Sequence, residues 1–175
     1  MVIWIIGLSG AGKTTLANLV TERLRSYGKK VVLLDGDVIR ELFKNDVDHT
    51  VEGRRRNAER LSALSKFIAS QDVHVVAAVL SIFPDWQEWN RKNIDDYCEV
   101  YMQCSIDTLR KRDIKSLYEG ALNGDIPNVV GVNIPFPEPA NANLTIDNNQ
   151  DRADFKELVD KVFEIDTVRN VFAEE

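Results

Sequence analysis

Long hydrophobic runs are missing from this 175-residue chain. No stretch approaches the roughly 20 apolar residues that a membrane span requires, and the opening run, Val2 to Ile6, ends in a glycine-rich loop. Neither a leader nor a membrane partner is expected. Cysteine is scarce: Cys98 and Cys104 are the only 2, too few for a disulfide framework. Cys98 sits in an apolar, strand-like run, so a reducing cytoplasm is the plain inference. Histidine is equally rare, and His49 and His74 form no metal-ligand constellation. Positive charge is in deficit, with 22 Lys and Arg against 28 Asp and Glu and a formal net charge of -6. That balance argues against a broad nucleic-acid surface, yet leaves room for a small anionic ligand held by a local arginine cluster.

What is present is an ordinary soluble composition, 44% hydrophobic and 29% charged, of a length that fits one domain spanning 1–175. Its most informative stretch is Gly7-Leu8-Ser9-Gly10-Ala11-Gly12-Lys13-Thr14, followed by Thr15. An apolar strand-like run precedes it and a helical pattern follows, which is the setting of a phosphate-binding loop. Successive backbone N–H groups and the helix N-terminus surround a nucleotide's phosphates, and glycines admit the anion without side-chain interference. Lys13 would reach the β- and γ-phosphates, and Thr14 would offer its hydroxyl to Mg²⁺. These residues predict binding of a nucleoside triphosphate, ATP, with Mg²⁺.

Strand and helix signals alternate along the rest of the chain. Helices are predicted over 12–27, 38–43, 52–69, 106–112 and 152–163, and strands over 30–34, 73–80, 99–102 and 144–146. Within 52–69, Leu61, Leu64, Phe67 and Ile68 are expected to face inward. Repeated β–α units imply an α/β three-layer fold with a central parallel sheet and helices on both faces. The stretch 113–139, which carries four of the chain's 5 prolines, breaks this rhythm and reads as a lid or binding loop. Trp86 and Trp89, three residues apart, suit one packed helix face better than base stacking.

Taken in order, these residues resemble the adenylylsulfate kinases. The resemblance runs from Val2 to about Asp147. It comprises the phosphate loop, Leu34-Asp35-Gly36-Asp37 with Arg40, then Arg54 and Asn57, Ser81, Arg112-Asp113, Lys115, Leu117-Tyr118, Gly124, Gly131, Pro135 and Pro139. It implies transfer of the ATP γ-phosphoryl group to the ribose 3′-hydroxyl of a second nucleotide, the P-loop kinase fold with a mobile lid, and a homodimer. The residues suit these roles chemically. Asp35, at the carboxyl end of a predicted strand, can orient or deprotonate the acceptor hydroxyl, or hold a water on Mg²⁺. Asp37 is the second candidate carboxylate, although it also fits a helix N-cap, a role that suits Asp35 less well. Arg40, Arg54 and Asn57 can grip the acceptor's phosphates and sugar, and Ser81 joins them. Arg112 can offset charge on the transferred phosphoryl group; Arg110 is a weaker candidate beside the nucleotide, and Lys115 can contact either substrate. Arg55 and Arg56 read as solvated helix charges.

The departures from the family pattern concern the acceptor. Where adenylylsulfate kinases carry Leu-Gly-Phe-Ser, this chain has Val47-Asp48-His49-Thr50, and their Phe-Thr-Gly is Val129-Val130-Gly131. The two family phenylalanines clasp the acceptor's adenine; His49 and Val129 stand in their places. The family's Ile-Ser-Pro-Tyr-Arg is Leu80-Ser81-Ile82-Phe83-Pro84, without the arginine. A divergent bacterial branch, associated with phosphoramidate decoration of capsule polysaccharide, phosphorylates cytidine diphosphoramidate, whose smaller base suits such a pocket. Cytidine diphosphoramidate is therefore placed ahead of adenylylsulfate as acceptor. A regulatory protein that binds nucleotide without turnover, and a nucleic-acid end kinase, are the readings from other classes.

Overall fold

The computed structural model describes residues 1–112 and 116–172. Five parallel strands form one sheet in the order β2-β3-β1-β4-β5: β1 (Val2–Ile6), β2 (Val31–Asp35), β3 (His74–Val79), β4 (Tyr97–Gln103) and β5 (Leu144–Asp147). Every residue of β1 is buried because helices cover both faces of the sheet. Its side chains alternate between two cores. Ile3 and Ile5 join Leu16, Val20 and Leu24 of α1 (Lys13–Ser26). Val2, Trp4 and Ile6 join Leu61 of α3 (Val51–Ala69) on the opposite face. Each fully buried aliphatic side chain contributes on the order of 1.5–3 kcal/mol, so β1 anchors both layers. This is the expected three-layer α/β architecture.

The remaining helices are α2 (Gly36–Leu42), α4 (Pro84–Asn93), α5 (Ile106–Arg112), α6 (Leu117–Leu122), α7 (Lys156–Phe163) and α8 (Asp166–Asn170). Predicted boundaries hold within a residue or two for most elements, with two instructive differences. Helix α2 begins earlier, at Gly36, because the Asp35 carboxylate accepts from the Asp37 N–H and caps it. Asp35, not Asp37, is the N-cap. The last long helix begins at Lys156 instead of 152, because Arg152 donates to Asp147 O and Asn148 Oδ1 and holds residues 147–152 as a loop.

Helix α3 corrects another expectation. Its N-terminus is capped by Thr50, whose hydroxyl accepts from the Gly53 N–H at 3.2 Å. The buried stripe below is Gly53, Asn57, Leu61 and Ser65, with Ser62 beside it, while Phe67 is 65% exposed. Gly53 lies against Asp48, where a Cβ would collide with the Asp48 backbone, and α4 packs against α3. Trp86 and Trp89 of α4 lie edge to face, 5.4 Å between centroids, in the packing role expected of them.

One charge is buried in the sheet itself. Glu99 of β4 is fully buried, accepting from Arg91 Nη2 at 2.5 Å and from the Tyr97 hydroxyl at 2.8 Å. Burial pushes the Glu99 carboxyl up, and Tyr97 and Arg91 pull it back. Removing Arg91 raises it further, so the folded state then holds a proton that the unfolded chain releases above its ordinary carboxylate range. Stability lost in this way grows as pH rises through that window. Arg91→Met is expected to cost about 3 kcal/mol at pH 8 and clearly less at pH 5, read by urea unfolding at both values. An equal loss at both would mean that Arg91 acts through packing alone.

Candidate active site

The site is assembled at the carboxyl ends of β1, β2 and β3, where open α/β sheets place their ligands. The loop after β1 turns into α1 through Gly12, whose φ of +91° is a left-handed conformation; a Cβ there would also meet Phe155 at 3.0 Å. At Gly7 a Cβ would lie 2.7 Å from the Met102 carbonyl oxygen, so neighbouring strands can approach only a glycine. Two contacts from distant parts of the chain hold this loop. The Tyr118 hydroxyl donates to Ser9 O at 2.7 Å, and Asn148 Nδ2 donates to Ala11 O at 3.0 Å.

Lys13 and Thr14, at the start of α1, point back over the loop and across to β2. Lys13 Nζ donates to Leu8 O at 2.8 Å, and burial pushes its pKa down to about 8 against the pull of Asp37 and Asp35. Thr14 Oγ1 donates to Asp35 Oδ2 at 2.8 Å, while Asp35 Oδ1 accepts from the Asp37 N–H at 2.9 Å. Both oxygens of Asp35 are thereby oriented. Thr14 and Asp35 offer hard oxygen donors side by side, a set that suits Mg²⁺, which keeps most of its waters and rides on phosphates. Among the described residues no group of three or more His, Cys, Asp and Glu could hold a metal without such help.

Beyond this pair opens a cavity of about 520 Å³. Ser9, Lys13, Thr14, Asp35 and Asp37 lie at one end; Arg40, His49, Arg54, Asn57, Ser81 and Val129 line the rest. The structure thus gathers most of the predicted acceptor residues around one space. Arg40 is buried, its Nη1 donating to Val47 O at 3.2 Å and Asp48 O at 2.9 Å. Arg54 donates from Nε to His49 O and from Nη2 to Asn128 O, both at 2.9 Å, and so ties two walls together. Burial is the foremost cause lowering the pKa of Arg40, Arg54 and His49; Arg54 is pushed further by Arg40, and His49 by both arginines. Asp37 opposes all three shifts. An anion entering this end would relieve that crowding. Asn57 Nδ2 donates to Gly36 O at 3.3 Å, and its buried Oδ1 has no partner among the described residues, which leaves an acceptor for a ligand hydroxyl.

Other predicted residues lie elsewhere. Arg112 faces the loop after β5, donating to Asn148 O at 2.7 Å and Gln150 O at 2.8 Å, and does not line the cavity. Its guanidinium braces the same Asn148 that holds the phosphate loop. Arg110 is exposed. Gly131 lines a second cleft, beside Leu8 and Tyr101. Lys115 lies outside the described residues. Arg55, read as a solvated charge, pairs with Asp85 at 2.6 Å and lies over the Phe83 ring at 4.4 Å. Sequence reasoning gave no site role to Tyr118, Asn148 or Asn128. Tyr118 belonged to the Leu117-Tyr118 pair that carries the family resemblance, and Asn148 lies just beyond a strand's carboxyl end; Asn128 carried no signal.

A phosphate loop on a five-stranded parallel sheet, with a carboxylate and an arginine-lined cavity beside it, defines a P-loop kinase acting on a small nucleotide. Comparison with known proteins is specific about the kind. The adenylylsulphate kinase family model matches residues 1–147, and the chain belongs to that family. Among its relatives, the cytidine diphosphoramidate kinase of Campylobacter jejuni is 37% identical over 161 residues, covering 92% of this chain and 93% of that protein. A probable adenylyl-sulfate kinase of Archaeoglobus fulgidus is 36% identical over 149 residues, covering 85% and 96%. The adenylylsulfate kinase of Mycobacterium tuberculosis, solved with AMPPNP and adenylylsulfate, superposes with a TM-score of 0.85 at 28% identity, covering 94% and 95% of the two chains. No helix among the described residues is long and apolar enough to cross a membrane.

The low pKa of Lys13 makes a prediction about ATP. Below about pH 8 the ammonium is already charged for the phosphates; above it, binding must first take up a proton. ATP affinity is expected to fall as pH rises from 8 to 9.5, by up to about tenfold per pH unit, with proton uptake visible by calorimetry in buffers of different ionisation enthalpy. In Lys13→Met both effects should vanish along with most of the affinity. A flat wild-type profile would mean that Lys13 keeps its charge through this range, whereas ATP affinity unchanged in Lys13→Met would assign the triphosphate contact to another group.

Proposed function

We propose that this protein transfers the γ-phosphoryl group of ATP to the ribose 3′-hydroxyl of a small nucleotide. The observation that carries this reading is the placement of Asp35: its carboxylate is hydrogen-bonded to the phosphate-loop Thr14 and faces the cavity that holds Arg40, Arg54 and Asn57. A hydroxyl lying in that cavity meets a fixed carboxylate on one side and the phosphate loop on the other. Phosphoryl transfer depends mostly on such positioning and on charge stabilisation. Asp35 would orient the hydroxyl and accept its proton, Lys13 would neutralise the transferred group, and Asn57 Oδ1 would take a sugar hydroxyl. Arg40 and Arg54 would bind the acceptor's phosphate. Mg²⁺, held by the Thr14 hydroxyl and through water by Asp35, would supply countercharge to the β- and γ-phosphates. A cytoplasmic location and a homodimer belong to the same reading.

Adenylylsulfate is the acceptor that the comparisons favour. The family model, the adenylyl-sulfate kinase relatives and the solved enzyme with bound adenylylsulfate all support it, which reverses the order suggested by the residue pattern. A specific observation favours cytidine diphosphoramidate as the second reading. His49 and Val129 line the cavity where the family pattern has two phenylalanines, and the Campylobacter jejuni relative is a kinase of that nucleotide. Stacking on an aromatic is worth ~1–3 kcal/mol per base, so losing two rings weakens the hold on adenine.

Competition between the two acceptors at equal low concentration, under ATP and Mg²⁺ with product identified by mass, decides the matter. Preference for adenylylsulfate supports the first reading and preference for the cytidine nucleotide the second; use of neither rejects both. In either case Asp35→Asn is expected to lower kcat by roughly 10²-fold with ATP affinity retained. An unchanged kcat would move the role to Asp37. Arg54→Ala is expected to raise the acceptor KM at least tenfold more than the ATP KM, and equal effects on both would remove it from the acceptor site.

A further inference from the structure

Ser81 follows β3 at the cavity wall with a φ of +52°, a left-handed conformation unusual for a residue with a side chain. Two buried side chains hold it there. Trp4 Nε1, from the middle of β1, donates to Ser81 Oγ at 3.3 Å. Gln87 Nε2, from the first turns of α4, donates to Ser81 Oγ at 3.3 Å and to Ser81 O at 3.1 Å. Trp4 is 2% exposed and Gln87 3%, so neither donor is a surface accident. Indole N–H can only donate, and the amide nitrogen can only donate. A hydroxyl has two acceptor positions and one proton; here both acceptor positions are taken from inside the protein. The proton is what remains for the cavity.

We infer that Ser81 is a fixed hydrogen-bond donor to the acceptor nucleotide, received by a lone-pair oxygen or ring nitrogen, and that Trp4 and Gln87 are positioning residues that set this polarity. The inference rests on the proposed reading of the cavity as the acceptor site and adds to it a specificity rule. A nucleotide presenting an unprotonated oxygen or nitrogen at this point is admitted, whereas one presenting an N–H or O–H meets a second donor. The strained backbone serves the same end, because it turns the hydroxyl to the wall where Trp4 and Gln87 converge.

The test is a double-mutant cycle using the full chain and whichever of adenylylsulfate and cytidine diphosphoramidate the wild type phosphorylates. Trp4→Phe keeps the ring and removes its donor; Gln87→Glu keeps the shape and offers an acceptor that draws the Ser81 proton inward. Each is expected to raise the acceptor KM about tenfold, with the ATP KM within twofold of wild type, and Ser81→Ala to do the same. In the Ser81→Ala background neither change should shift the acceptor KM by more than twofold, since the hydroxyl they orient is gone. Gln87→Met serves as the uncharged control should the buried glutamate impair folding, with thermal melting read for every variant. Full-size effects persisting in the Ser81→Ala background would make Trp4 and Gln87 general wall residues and overturn the inference, as would an acceptor KM that none of the variants moves. Wild-type turnover of neither nucleotide would overturn the functional reading and this assignment together; turnover with unaltered variants overturns the assignment alone.

Discussion

The hydrogen bond from Thr14 to Asp35 joins the two halves of the site, and it depends on β1 being buried on both faces. A strand clamped between two cores cannot shift, so the loop at its end leaves the sheet at a fixed point and α1 starts at a fixed angle. Asp35 leaves β2 two strands away, beyond β3, with its own register set by pairing to Ala78. Both side chains thus arrive from rigid elements, and a 2.8 Å contact between residues 21 apart in sequence needs no flexible segment to bring it about. Rigidity of this kind suits a reaction in which most of the barrier is lowered by placement.

Around that pair the protein concentrates charge that it does not itself neutralise. Lys13, Arg40, Arg54 and His49 all have their protonated forms disfavoured by burial, and Asp37 works against each shift. The arginines rest on backbone carbonyls of Val47, Asp48, His49 and Asn128, so their side chains are already oriented without an anion. A bound polyphosphate would meet preorganised donors and lose little energy ordering them. The same contacts brace the loop that carries His49 and the segment that carries Val129, so the two arginines and these cavity walls share a framework.

Several parts of this arrangement were legible in the residues. The phosphate loop is a local pattern whose physics is complete within a short window, the alternation of strand and helix signals implied the parallel sheet, and Arg54 and Asn57 stood out through the family resemblance. Helix α3 was harder, because the residues of its buried stripe meet distant neighbours that periodicity cannot register: Gly53 lies against Asp48, Asn57 donates to Gly36 O, and Leu61 packs with Val2, Trp4 and Ile6 of β1. Arg112 was harder still. The residues suggested the transferred phosphate, whereas the contacts that the folded chain gives its guanidinium are the carbonyls of Asn148 and Gln150, which come from the far end of the chain. Tyr118 and Asn148 reach that loop across 109 and 137 residues.

The sequence by itself determined the chemistry on offer: a phosphate loop, a carboxylate at a strand end and a handful of arginines. These follow from residue type and spacing, because backbone geometry over a few residues has few solutions. Only the tertiary structure decided which groups share an atom's reach. Asp35 became both helix cap and partner of Thr14, Arg54 became a tie between two walls, and Ser81 Oγ came to accept from both Trp4 and Gln87. The reason is that hydrogen-bond polarity and burial belong to pairs of residues from different elements, and only packing of those elements brings the pairs together.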